Sequence, residues 1–252
     1  MLKVMFNRRW LLTTFMVFIG AALCIRLGVW QLDRLEQRRA FNTHVEAMWS
    51  APQLQLPAEK SENLTEMEYR SVKASGRYDF DHQIALRNQY WQDQYGYHLL
   101  VPLVIESDIA VLVDRGWIPA VDNEHPENWH LYTVPESATV IGIIRPGQSE
   151  PQVGGVPDPE LEAGQDRLSF WNNVNIERIS AQMPYDLLPI YIQLDPIEGD
   201  TIPPIPYQPE IELTEGPHLG YAGQWFTFAT ILLVGYPFYL NRQEKSLKGS
   251  SQ

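Results

Sequence analysis

The two ends of this chain are made of different material from its middle. Residues Leu11 to Ile25 run without a charge, inside a longer apolar stretch from Trp10 to Trp30. As a helix rising about 1.5 Å per residue, that stretch reaches roughly 30 Å, the thickness of a bilayer's hydrocarbon core. A second uncharged run extends from Pro217 to Asn241, centred on Trp225–Gly235. Both carry aromatics toward their ends, Trp10 and Trp30 on the first, Tyr221, Trp225, Tyr236 and Tyr239 on the second. That is the belt pattern of side chains at a membrane–water interface. The expectation is therefore a membrane protein with two transmembrane α-helices, residues 10–30 and 218–240. They flank an external domain at 31–217 and leave short tails at 1–9 and 241–252. A cleaved signal peptide is the rival reading of the first helix. It lacks a small-x-small cleavage site, and the apolar run is longer than a signal core.

Charge sets the orientation. Lys3, Arg8 and Arg9 precede the first helix, and Arg242, Lys245 and Lys248 follow the second against Glu244. The positive-inside rule places both tails in the cytoplasm. Arg26, Arg34, Arg38 and Arg39 lie on the other side, with Asp33 and Glu36 at helical spacing to partner them. Residues 31–217 carry 12 basic and 30 acidic side chains. An acidic domain of this kind suits the periplasm of a bacterial cell inner membrane, with a mitochondrial inner membrane as the second choice. The whole chain has a net charge of −12, which excludes a nucleic-acid binder, since that class needs a basic face. Cys24 is the sole cysteine and sits in the first apolar run, so disulfides, cysteine-based metal sites and an external cysteine nucleophile all drop out.

The middle reads as one antiparallel β-rich α+β domain with a helical entrance, Leu32–Phe41, closed by Pro52 and Pro57. Strand candidates rich in Val, Ile and aromatics follow at Tyr69–Tyr78, Gln83–Gln89, Tyr97–Ile105, Ile109–Ile118, Thr139–Arg145, Leu168–Val174 and Pro189–Leu194. One short helix is expected at Asn175–Met183, with Asn175 as its N-cap. Ser149–Gly164, rich in Pro, Gly and acids, reads as a long loop. Asp195–Pro217 reads as an extended, proline-rich return to the membrane.

No phosphate loop, nucleophile elbow or zinc-protease motif is present, and the expectation is that the protein is not an enzyme. Asp79-Phe80-Asp81-His82, His125 and His130 offer metal-binding side chains, yet acids beside strand turns are usually solvated. The informative residues lie where the helices meet the outer interface. Gln31 and Arg34 leave the first helix there, and His218, Tyr221 and Trp225 open the second. His218, Ala222, Trp225 and Ala229 share a helical face. Gly20, Cys24 and Gly28, spaced by four, allow close approach of a second helix. An imidazole, indoles and a guanidinium at one level could hold a planar anionic cofactor. The plainer reading is a belt residue among packed helices.

At these residues the chain resembles the surfeit-locus family of cytochrome c oxidase assembly factors. The matching pieces are Gly28-Val29-Trp30-Gln31-Leu32-Asp33-Arg34, Tyr69–Tyr78, Gly96–Leu103, Val111–Pro119 and His218–Phe226, in the family's order. Gly216 and Pro217 stand where many relatives carry a pair of asparagines. The resemblance implies a membrane factor that assists insertion of haem a into the large catalytic subunit of a haem–copper oxidase, with a haem a synthesis enzyme as a further partner. It implies that His218 contacts the haem; helical spacing and a helix hairpin would place Gln31, Arg34, Tyr221 and Trp225 at the same level around such a cofactor. The alternative is a cofactor-free, membrane-anchored scaffold for an oxidase subunit. Arg115 and Trp117, in Asp114-Arg115-Gly116-Trp117, have two roles open to them. They could be an anchor pair for a partner, or the better supported internal packing of a Trp and a paired Arg.

Overall fold

The computed structural model describes residues 5, 7–57, 63–151, 153–161, 164–199 and 201–249. It divides into two compact units, one of Met1–His44 with Glu212–Gln252 and one of Val45–Ile211.

The first unit is a pair of antiparallel helices. Helix α1 (Leu11–Ser50) is 40 residues long. Among the described residues it is the one helix long and apolar enough to cross a membrane. It runs beyond the expected end at Phe41 because Asn42–Ser50 contain neither Gly nor Pro; Pro52 comes two residues after it stops. The second helical segment is α3 (His218–Thr230), a π-helical turn at Ile231–Gly235, and α4 (Tyr236–Gly249). Pro237 explains the interruption: it has no N–H to donate and its ring crowds the preceding turn. The expected single helix over 218–240 is therefore helical throughout but segmented.

The pair is in register along its length. Thr14 Oγ1 and Tyr236 Oη are 2.7 Å apart and buried. Farther along, a Cβ on Gly20 would touch Leu232 at 3.4 Å, and one on Gly28 would lie 2.7 Å from the Phe226 ring. Ala21, Ala222 and Ala229 are buried at the same seam. Small residues thus do what their spacing predicts, letting the helices approach until large side chains fill the gap.

The second unit is a closed five-stranded barrel with additions. Its strands are β2 (Ser71–Tyr78), β4 (Gln94–Glu106), β5 (Ile109–Pro119), β6 (Ser137–Pro146) and β8 (Asp186–Leu194). They follow the order β2-β6-β8-β5-β4, and β4 returns to β2 through Arg77↔Val104 and Tyr78↔Leu103. Short β1 (Leu54–Leu56) and β3 (Ile84–Trp91) extend the sheet, and β7 (Phe170–Trp171) lies beyond β3. The expectation of an antiparallel β-rich domain is corrected in part, since the strand pairing is mixed. The pairs β5–β8, β1–β2 and β3–β7 are parallel. The connection from β5 to β8 is long enough to include β6, β7 and helix α2 (Ile176–Ser180), so β8 can enter beside β5 in the same direction.

Every barrel strand supplies the interior, with Val72, Ala74, Val101, Leu103, Val111, Val113, Val140, Ile144, Ile190 and Ile192 in one cluster. Helix α2, capped as expected by Asn175 Oδ1 accepting from Arg178 N, covers the outer face with Trp171. Trp129, on the 3₁₀ turn Pro126–Tyr132, closes one end against Tyr97, Leu99 and Ile118. Replacing a fully buried barrel side chain should leave a cavity. Ile192→Ala is expected to lower the unfolding free energy of the full-length protein by about 2–5 kcal/mol. Urea titration followed by tryptophan fluorescence checks this; an unchanged midpoint would contradict the packed barrel.

Candidate functional site at the mouth of the helix pair

His218 opens α3 directly after Gly216 and Pro217, with Pro217 at the N-cap and no side-chain cap. Its half-buried ring meets Gln31 of α1: Nδ1 and Gln31 Oε1 are 2.8 Å apart. An amide oxygen can only accept, so in the neutral ring this contact puts the proton on Nδ1 and leaves the lone pair on Nε2. Gly216 has φ +67, and a Cβ there would lie 3.6 Å from Nε2. The glycine thus serves twice: it adopts a left-handed turn and keeps space open beside the free nitrogen.

The chain entering α3 is clamped to α1. Arg38 Nε donates to the Thr214 carbonyl at 2.9 Å, and the same guanidinium reaches the Glu212 carbonyl. Arg39 grips the Glu215 carboxylate through two bonds of 2.8 and 2.9 Å. Asn42 Nδ2 adds a longer contact to Thr214 O at 3.3 Å. The hydrogen-bonded fork holds Glu215 below the usual carboxylate range and Arg39 above its own. Both side chains are half-exposed, so the fork contributes geometry more than stability. Sequence spacing assigned these arginines to Asp33 and Glu36. Arg39 instead reaches Glu215, and Arg34 bonds Gln37 Oε1 at 2.9 Å while lying over the Trp30 ring. The readable sign was the pairing of Arg38-Arg39 with an acidic return segment, Glu212 to Glu215.

Of the five residues expected around a cofactor, the structure joins Gln31 and His218. Trp225 is half-buried and stacks edge-on with Phe228 at 6.0 Å, while Tyr221 and Arg34 are exposed. A haem-type group asks for an imidazole with one nitrogen oriented by a hydrogen bond and the other free. His218 fits that requirement, with Gly216 leaving room beside Nε2.

The other sequence candidates fall elsewhere. Arg115 and Trp117 are 6% and 2% exposed, which corrects their assignment as a displayed partner-binding pair. Arg115 donates to the Tyr132 carbonyl at 2.7 Å and lies over Tyr78 and Phe80; burial pulls its pKa down. Trp117 exchanges backbone bonds with Ile205 and stacks on Trp91. Within β5, where its pairing with β4 shifts register, Asp114 accepts from Gly116 N at 2.9 Å and faces His98 Nδ1 at 2.8 Å. Gly116, at φ +113, is required because a Cβ would strike Ile205 O at 2.2 Å. On the neighbouring strand β8, burial and then the Asp114 charge push Tyr191 up to about 12. His82 Nδ1 and the Tyr185 hydroxyl both meet Asp79 Oδ2, and no group of three or more metal-binding side chains occurs among the described residues.

Comparison with known proteins brings these features together. Residues 18–230 match the model of the SURF1 family. A SURF1-like protein of Rickettsia conorii is 28% identical over 91% of this chain and 92% of its own length. An uncharacterized SURF1-like protein of Mycobacterium bovis is 26% identical over 91% and 83%, and a SURF1-like protein of Caenorhabditis briggsae is 25% identical over 84% and 70%.

His98 yields a pH dependence. Burial disfavours its charged form, but the Asp114 charge and hydrogen bond outweigh that, leaving the pKa above 6.5. A raised folded pKa means the pair stabilises fully below 6.5 and loses that contribution as pH rises through the folded value. Unfolding free energy is expected to fall over that window, and His98→Gln should remove the slope. An identical slope in the variant would assign it to another group.

Proposed function

Since the chain belongs to the SURF1 family, the surfeit-locus family of oxidase assembly factors, we propose that it is a membrane-bound factor for haem–copper oxidase assembly that assists haem a insertion into the large catalytic subunit. The observation that carries the haem reading is the 2.8 Å contact between His218 Nδ1 and Gln31. In the neutral ring it supports the tautomer that leaves the Nε2 lone pair available to a metal. Haem would supply an iron that the His218 imidazole could ligate and carboxylates that the Arg34 guanidinium could pair with.

Each residue has its own part in this reading. Gln31 orients the ring, and the clamp from Arg38, Arg39 and Asn42 holds the chain that carries it. Trp225 and Tyr221 form apolar wall, and Arg34 is the cation for a propionate. The weak, single-sided grip suits hand-over, since a carrier must also release its cargo. We further propose that α1 and the segmented α3–α4 both cross the inner membrane of a bacterial cell. Both tails then lie in the cytoplasm, with the domain beginning at residue 31 in the periplasm and a haem a synthesis enzyme as a second partner. The protein acts by holding and positioning rather than by catalysis.

The test is a visible spectrum of full-length protein purified from cells that make haem a. A Soret band is expected in the parent, lost in His218→Ala and shifted or weakened in Gln31→Leu. Parent-like haem content in His218→Ala would overturn the haem reading. Colourless parent protein that still copurifies with oxidase subunits would favour the cofactor-free scaffold.

A further inference from the structure

Within the long acidic loop that follows β6, here called the insert, Pro159 and Glu160 form one wall of a cleft. This cleft of about 450 Å³ in the barrel unit is lined by Arg87 of β3, Glu124 and His125 before the 3₁₀ turn, Pro159 and Glu160 of the insert, and Arg167 and Phe170 at β7. The insert is held in place. Asp158 Oδ1 accepts from Asn172 N and Asn173 N at 2.8 Å each, Asn172 Nδ2 donates to Pro157 O, and Arg178 donates to Pro159 O at 2.9 Å. A wall fixed in this way costs little ordering when a ligand enters.

Two arginines and two glutamates share this concavity, yet none of the ion pairs among the described residues joins any of them. The Arg87 guanidinium is parked over the Phe170 ring, 4.8 Å from its centroid, and Arg167 bonds the carbonyl of Asp81. Long side chains of opposite charge around one cleft close on each other when geometry allows. Here the cleft keeps both signs available, and its volume is in the range of small-molecule sites, roughly 300–1,000 Å³.

We propose that this cleft binds a small zwitterion, an ammonium joined to a carboxylate or phosphate. Arg87 and Arg167 take the oxyanion, which suits their forked donors. Glu124 and Glu160 take the ammonium. Such a ligand satisfies both poles at once, whereas a simple anion would face two carboxylates. Free amino acids and aminophospholipid headgroups share this chemistry. The inference does not depend on His218.

Calorimetric titration of the full-length protein in detergent tests it, with phosphoethanolamine and free glutamate as zwitterions and with inorganic phosphate, acetate and ethylamine as their halves. One zwitterion should bind at least about tenfold more tightly than any half, a difference of about 1.4 kcal/mol. Preference for phosphoethanolamine assigns a lipid headgroup; preference for glutamate assigns a free amino acid. Arg87→Gln and Glu160→Gln should each weaken binding by about tenfold or more, with Glu124→Gln as the replacement if either fails to fold. Halves that bind as well as the zwitterions, variants without effect, or no binding of either zwitterion would overturn the proposal.

Discussion

Close approach of two helices at Gly28 is the constraint on which the site depends. The Phe226 ring occupies the space a Cβ would take, and that contact sets the separation of the pair near the His218 end. With the Thr14–Tyr236 bond at the opposite end, the register of one helix against the other is fixed at two levels. Gln31 and His218 can meet only in that register. The hydrogen bond between them is therefore a consequence of packing farther down the seam, and the arginine clamp on residues 212–215 reinforces it from above.

The barrel solves a different problem. A five-stranded sheet with a polar outside would leave two edges open, and closure through β2–β4 removes them. Closure places β5 at the centre, between β4 and β8, and buries nearly all of it. The buried charged residues there have hydrogen-bond partners: Asp114 faces the His98 ring and accepts from the Gly116 amide, and Arg115 donates to the Tyr132 carbonyl. The indole N–H of Trp117 is buried without a hydrogen-bond partner. The Asp-Arg-Gly-Trp motif thus ties β5 to His98 of β4 and to the segment at Ile205.

Most strands are legible in the sequence because their alternation or apolar runs are local signals. Ser71–Tyr78 and Ile109–Pro119 begin or end within two residues of where the pattern places them. The parallel β5–β8 pair is not legible, since it joins segments about seventy residues apart and depends on the intervening helix and turns. A clue existed in β5, whose unbroken Ile-Ala-Val-Leu-Val marks a strand covered on both faces, and burial of Arg115 and Trp117 follows from that. Asn175 was readable as a cap because an N-cap is chemistry within four residues. His218 was legible as a polar residue at an interface; its partner Gln31 could be chosen only by assuming the two helices form a hairpin. The clamp was hidden because Asp33 and Glu36 offered nearer, plausible partners.

The central claim is that packing delivers His218 with Nδ1 protonated against Gln31 and Nε2 free. Nitrogen-15 spectroscopy of the neutral His218 imidazole in the full-length protein reads this directly. The account predicts the Nδ1–H tautomer in the parent and its loss or mixing in Gln31→Leu. A neutral ring protonated at Nε2, unchanged when Gln31 is replaced, would contradict it.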